Sequence, residues 1–235
     1  MSEWAAKRFW KAVDVKQDDA GYSVALDGRL VRTPAKSPLL LPTAQMAQAV
    51  AAEWEAQTDK IDPLSMPYTR AANAATDKVT HQFDEVADML ASYGDTDLIC
   101  YRASDPKELV ERQNKQWDPL VDWSATDLKA PLQVYVGVMH APQPEASKIR
   151  LRALVDAFDP FQLTAFHDLV SLSGSLIIGF AVVHGYDTPQ ALWDVSRIDE
   201  DWQIQQWGED EEAAAQISIK RDAFLHADQF FRVCA

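Results

Sequence analysis

Ile61-Asp62-Pro63-Leu64-Ser65-Met66-Pro67 places two prolines in seven residues and carries neither helical nor alternating periodicity, so it interrupts regular structure and marks a boundary. The chain reads differently on its two sides. Upstream, Phe9 to Val15 and Tyr22 to Leu26 alternate apolar with polar residues, and Asp27-Gly28 is a hairpin turn leading into Arg29 to Thr33. Pro34, Pro38 and Pro42 punctuate an extended stretch, after which Thr43 is placed to cap a helix with Ala47, Val50, Ala51 and Trp54 on one face. Downstream, nearly every segment has helical spacing. Leu151, Leu154, Val155 and Phe158 form one stripe, and Phe161, Ala165, Leu169 and Leu172 form a second beyond Asp159-Pro160. Leu176 to Val183 reads as a buried helix, Leu132 to Val138 as a short apolar strand, and Thr188-Pro189 as a helix start. The expected fold is α+β: a small antiparallel sheet with a covering helix over residues 1–65, then a larger all-α bundle over 66–235.

The 36 acidic against 22 basic residues leave a formal charge of −14, which opposes binding to nucleic acid or to an anionic membrane through long-range repulsion. Apolar residues at 47% and charged residues at 25% are globular values, so the acidity does not signal disorder. No run approaches the ~20 apolar residues that span a bilayer. Met1-Ser-Glu-Trp is neither a basic-then-apolar signal nor an Arg-rich transit segment, which leads to an expectation of a cytoplasmic protein. Cys100 and Cys234 lack Cys-x-x-Cys spacing and are expected as two plain thiols.

Catalytic and cofactor signatures are missing at the spacings their chemistry requires. Gly174 to Gly179 has the interval of a phosphate loop but continues into Phe180-Ala181, where an ammonium and a hydroxyl are needed. No Gly-x-Gly-x-x-Gly exists, and the five histidines make no pair on one helical turn. Asp95-x-Asp97 lacks the glycine of a calcium loop. Ser104-x-x-Lys107 has nucleophile–base spacing, yet Ser104-Asp105-Pro106 is better explained as a helix cap. No catalytic residue, metal or cofactor is expected.

The sharpest local feature is Asp194 to Glu212, which holds Trp202 and Trp207 among eight carboxylates with Arg197 as its only base. Gly208 is a helix stop, and Glu209, Asp210, Glu211 and Glu212 fit the first turn of the following helix, where the macrodipole favours anions. That accounts for most of the acids as a solvated face. A functional reading makes Trp207 an aromatic anchor, with carboxylates presented to Arg or Lys on another protein. Trp54 and Trp117, with its neighbour Asp118, are expected as packing anchors.

Several of these residues fall into ordered motifs: Leu26-Asp27-Gly28-Arg29 with Thr33-Pro34, Leu41-Pro42-Thr43, Glu53-Trp54-x-x-Gln57 and Met66-Pro67-x-Thr69. They continue as Tyr93-x-x-Thr96-Asp97-Leu98, Tyr101-Arg102-Ala103, Gln116-Trp117-Asp118-Pro119, Gly174-Ser175 and Trp207-Gly208-Glu209-Asp210-x-Glu212. Spread over nearly the whole chain, they resemble the assembly chaperones of F-type ATP synthase that act on the alpha subunit of the catalytic head. The resemblance implies a two-domain protein without enzymatic activity, monomeric when free, whose partner is unassembled alpha subunit. It would mask the surface later covered by the beta subunit, since exposed subunit interfaces self-associate. Carried onto this chain, the partner-binding residues would be Trp207, Glu209, Asp210 and Glu212. The rival expectation is a carboxylate acid/base hydrolase using Glu209 or Glu212, which requires a concave pocket of carboxylates with raised pKa values. A third is a scaffold in which no single carboxylate matters.

Overall fold

The fold follows from two sets of apolar residues, one buried around a small sheet and the other among helices. The computed structural model describes residues 7–234, in two compact units. One runs to Phe83 and takes in Pro160–Ala165 and the chain from Gln229 onward; the other comprises Asp84–Asp159 and Phe166–Asp228. Among the described residues no helix is long and apolar enough to cross a membrane.

In the first unit, β1 (Val13–Asp18) and β2 (Gly21–Leu26) pair antiparallel from Val13 opposite Leu26 to Asp18 opposite Gly21. β3 (Arg29–Leu30) returns on the other side of β2. Asp27 and Gly28 both take positive φ, 47° and 81°, as a two-residue turn matched to strand twist demands. Asp27 also ties down the preceding chain, accepting from the backbone N–H groups of Lys11 and Ala12, and these bonds hold its carboxyl below the usual value. α1 (Ala44–Ala56) begins at Thr43, whose hydroxyl accepts from Met46 N at 3.1 Å. Its Met46, Ala47 and Val50 pack with Val24, Leu26, Leu39 and Leu41 of the sheet and extended segment. Phe161, Ala165, Phe230 and Cys234 complete this core from distant sequence.

α2 (Pro67–Asp77) belongs with the sheet in this grouping, whereas the sequence had suggested a division between residues 65 and 66. The physical reason is Glu53. Met66 offers α2 no side-chain cap; instead the buried Glu53 carboxylate of α1 accepts from Tyr68 N at 2.6 Å, Thr69 N at 2.7 Å and the Thr69 hydroxyl at 2.7 Å. A carboxylate there satisfies orphan N–H groups and faces the positive end of the dipole. Desolvation raises its pKa against those same bonds. Ala72 then enters the sheet core.

The second unit holds most of α3 (Phe83–Ser92), then α4 (Lys107–Thr126), α5 (Glu145–Val155), the greater part of α6 (Pro160–Ser173), α7 (Leu176–Val183), α8 (Pro189–Ser196), α9 (Ile198–Trp207) and most of α10 (Glu211–Arg232). α7 is the buried helix expected: Leu176 to Val182 are all inaccessible. Gly179 lets it approach α6 so closely that an added Cβ would stand 2.7 Å from Val170. The expected apolar strand shortens to β5 (Tyr135–Val136), parallel to β4 (Tyr101–Arg102), so the helical part contains one small ladder. α4 differs at its start. Pro106 occupies the cap position with no side-chain bond, because Ser104 donates to Asp105 rather than capping the helix.

Candidate functional site

α9 is held in place by α4. Arg102 is buried over the Trp117 ring at 5.3 Å and donates to Asp118 at 2.8 Å and Asn114 at 3.0 Å. Trp117 Nε1 donates to Val195 O at 2.9 Å, and the buried Gln113 donates to Asp199 Oδ1 at 2.6 Å. Arg112 lies 5.2 Å over the Trp202 ring and bonds Gln205. Trp117 and Asp118 therefore sit in the support beneath α9. Trp54, half-buried, makes an edge contact with Trp10 at 5.2 Å in the first unit.

Beyond Trp207 the chain reverses at Gly208, with φ 91° and ψ 166°, a region essentially closed to other residues. α9 and α10 then diverge around a groove of about 320 Å³. Arg197 at the cap position of α9 and Glu200, Ile204 and Trp207 within it line one side, and Ala213 and Ile217 of α10 the other, with Gly208, Glu209 and Asp210 at the corner. Arg197, Glu200, Ile204 and Trp207 fall at i, i+3, i+7 and i+10. That helical spacing was present in the sequence and would have added Arg197, Glu200 and Ile204 to the expected site. Arg197 bonds Glu200 at 2.8 Å and stacks 5.8 Å from Trp193, and its Nε is buried without a partner.

The structure brings Trp207, Glu209 and Asp210 to one groove and leaves Glu212 outside its lining. Trp207 is 80% exposed, an unusual position for an indole. Asp210 has a structural duty as well: its Oδ1 accepts from Ala213 N at 2.8 Å, capping α10. Glu209 and Asp210 thus precede the helix, and Glu211 and Glu212 occupy its first turn. The nearby carboxyl that is raised, Asp201, is shifted chiefly by desolvation against Arg197, and it does not line the groove. These positions do not make the proton-sharing carboxylate pocket a hydrolase requires. Among the described residues no cluster of His, Cys, Asp and Glu could hold a metal ion. A second depression, in the first unit, contains Arg8 and Lys60, but Arg8 there is spent on the carbonyls of Trp10, Glu55 and Gln57.

The model of the ATP12 chaperone protein family matches residues 7–125, half of the sequence. The chain belongs to the ATP12 chaperone family. These are the ATP synthase assembly chaperones that the sequence motifs resemble. The crystal structure of Atp12 from Paracoccus denitrificans superposes with a TM-score of 0.96 at 48% identity, covering 99% of this chain and all of that one. A crystal structure from Agrobacterium tumefaciens gives 0.92 at 36% identity over 97% of this chain and 86% of that one. The mitochondrial protein atp12 of Schizosaccharomyces pombe is 24% identical over 219 residues, 88% of this chain and 75% of that protein. The ATP12 family match ends before α9, so the acidic corner lies outside the residues it covers, while the structural relatives extend across it.

Proposed function

We propose that this protein binds the unassembled alpha subunit of F-type ATP synthase and masks its subunit interface until the beta subunit takes its place. It does so as a monomer in the bacterial cytoplasm, without covalent chemistry or a cofactor. Family membership supports the chaperone role. The observation that carries the contact site is Trp207: the corner between α9 and α10 displays an exposed indole beside Glu209 and Asp210. An aromatic anchor with a charged rim is how an interface gains affinity at its centre and selectivity at its edge. Glu212, exposed in the first turn of α10, extends the acidic rim toward a basic partner surface.

The test is light scattering during refolding of alpha subunit from the same organism, alone, with the protein, and with its Glu209→Lys variant. The parent is expected to suppress scattering and to co-elute with alpha on size exclusion. The variant should do both less well at unchanged circular dichroism. Absence of any complex with the parent refutes the proposal.

A further inference from the structure

Away from the acidic corner, the loop from Gln133 to Gln143, which contains β5 and leads to α5, carries four exposed apolar side chains, two of them the most exposed of the second unit. Val138 is 93% exposed, Met139 83%, Val136 71% and Val134 43%. They do not belong to a loose loop. Its base is tied by Gln143, itself 3% exposed, whose Oε1 accepts from Gln133 N at 2.7 Å while its Nε2 donates to Gln133 O at 2.8 Å. Gln143 N is bonded in turn to Asp95 at 2.9 Å. The Tyr135 hydroxyl lies 2.7 Å from Gln133 Oε1 and 3.0 Å from Pro142 O, and Gly137 N donates to Arg102 O at 2.8 Å beside the β4–β5 ladder. A buried amide that satisfies both ends of a loop fixes its shape in advance, and preorganisation lowers the entropic cost of docking.

We propose that the Gln133–Gln143 loop is a second client-binding element, whose apolar tip covers an exposed apolar face of the alpha subunit. The inference rests on the alpha-subunit reading above. The four side chains display on the order of 400 Å² of apolar surface, a patch of the size that marks functional sites on monomers. That is about half of the roughly 800 Å² per partner in a stable interface, too little to hold a second copy of this chain alone. The −14 charge opposes adsorption to an anionic bilayer. A client held elsewhere by its basic groups presents the tip with a high local concentration of apolar surface, and a contact too small to persist alone then adds affinity.

The experiment uses the full chain with Val138→Ser and Met139→Ser together, and separately with a photo-crosslinking phenylalanine analogue at 138. Affinity for purified alpha subunit, size-exclusion mass and co-sedimentation with phosphatidylcholine vesicles are measured. The expected result is a loss of alpha affinity of about tenfold or more at unchanged circular dichroism, with a crosslink from 138 to alpha. Affinity within twofold of the parent and no crosslink to alpha overturns the loop proposal while leaving the alpha-subunit reading intact. A doubled mass with crosslinks between copies, or sedimentation with vesicles that the double variant abolishes, overturns it in favour of self-association or lipid. A parent that does not bind alpha overturns both readings.

Discussion

Removing the Trp207 side chain should separate binding from stability. The indole is 80% exposed in the free protein, and a tryptophan presents about 200 Å², so about 160 Å² remains to be covered by a partner. At about 25 cal/mol per Å², full coverage is worth up to about 4 kcal/mol, and half coverage about 2 kcal/mol, or roughly 30-fold in affinity. The same exposure means that Trp207→Ala removes little from the fold, where a surface change stays within about 0.5 kcal/mol. Titration calorimetry against alpha subunit, paired with urea unfolding of the free protein, measures both. The expected outcome is a 30-fold or greater loss of affinity at an unchanged unfolding midpoint. An affinity within threefold of the parent would refute the anchor role. A stability loss above 1 kcal/mol would show instead that the indole supports the fold.

Three further perturbations follow from the geometry. Asp210→Ala should destabilise the protein by about 1 kcal/mol through loss of the α10 cap; Asp210→Asn keeps the cap, so an affinity loss in the Asn variant without thermal destabilisation reports charge alone. Asp97, fully buried, accepts from Ile99 N and Ile177 N and is pushed by desolvation from 3.8 up to about 6. The native state therefore holds this proton more tightly than the unfolded chain, and stability falls as pH rises from about 4 through 6, by about 3 kcal/mol in all. Compared with Asp97→Asn, the parent should gain most of that difference between pH 7 and pH 4, and parallel urea-unfolding profiles would exclude it. Gly179→Ala should cost about 1–3 kcal/mol, because Val170 cannot yield without moving α6; calorimetry showing an unchanged melting temperature would contradict the close packing.

Many residues that identify the family by sequence turn out to be internal fastenings. Glu53 caps α2 by accepting from Tyr68 and Thr69, Asp97 secures the start of α7, and Arg102 and Asp118 brace α4 beneath α9. Asp118 also faces solvent, but its carboxylate is bonded to Arg102, whereas Trp207 and Glu209 face solvent with no such fastening among the described residues. A motif in the sequence reports that a side chain has a specific task, but not whether that task is to hold the fold or to meet a partner. Burial and hydrogen-bond partners separate the two.

The sequence by itself determined the hairpin at Asp27-Gly28, the Thr43 and Thr188 caps, the break at Asp159-Pro160 and the buried character of α7. Each depends on conformational preferences and on neighbours within a few residues, and these act whatever the rest of the chain does. Tertiary structure alone decided that α2 joins the sheet, that Asp97 meets Ile177 across 80 residues, and that α9 and α10 enclose a groove with Arg197 inside and Glu212 outside. Those outcomes depend on which apolar faces the folded chain buries against one another. Burial is non-directional and shared among many distant residues, so no short segment encodes it.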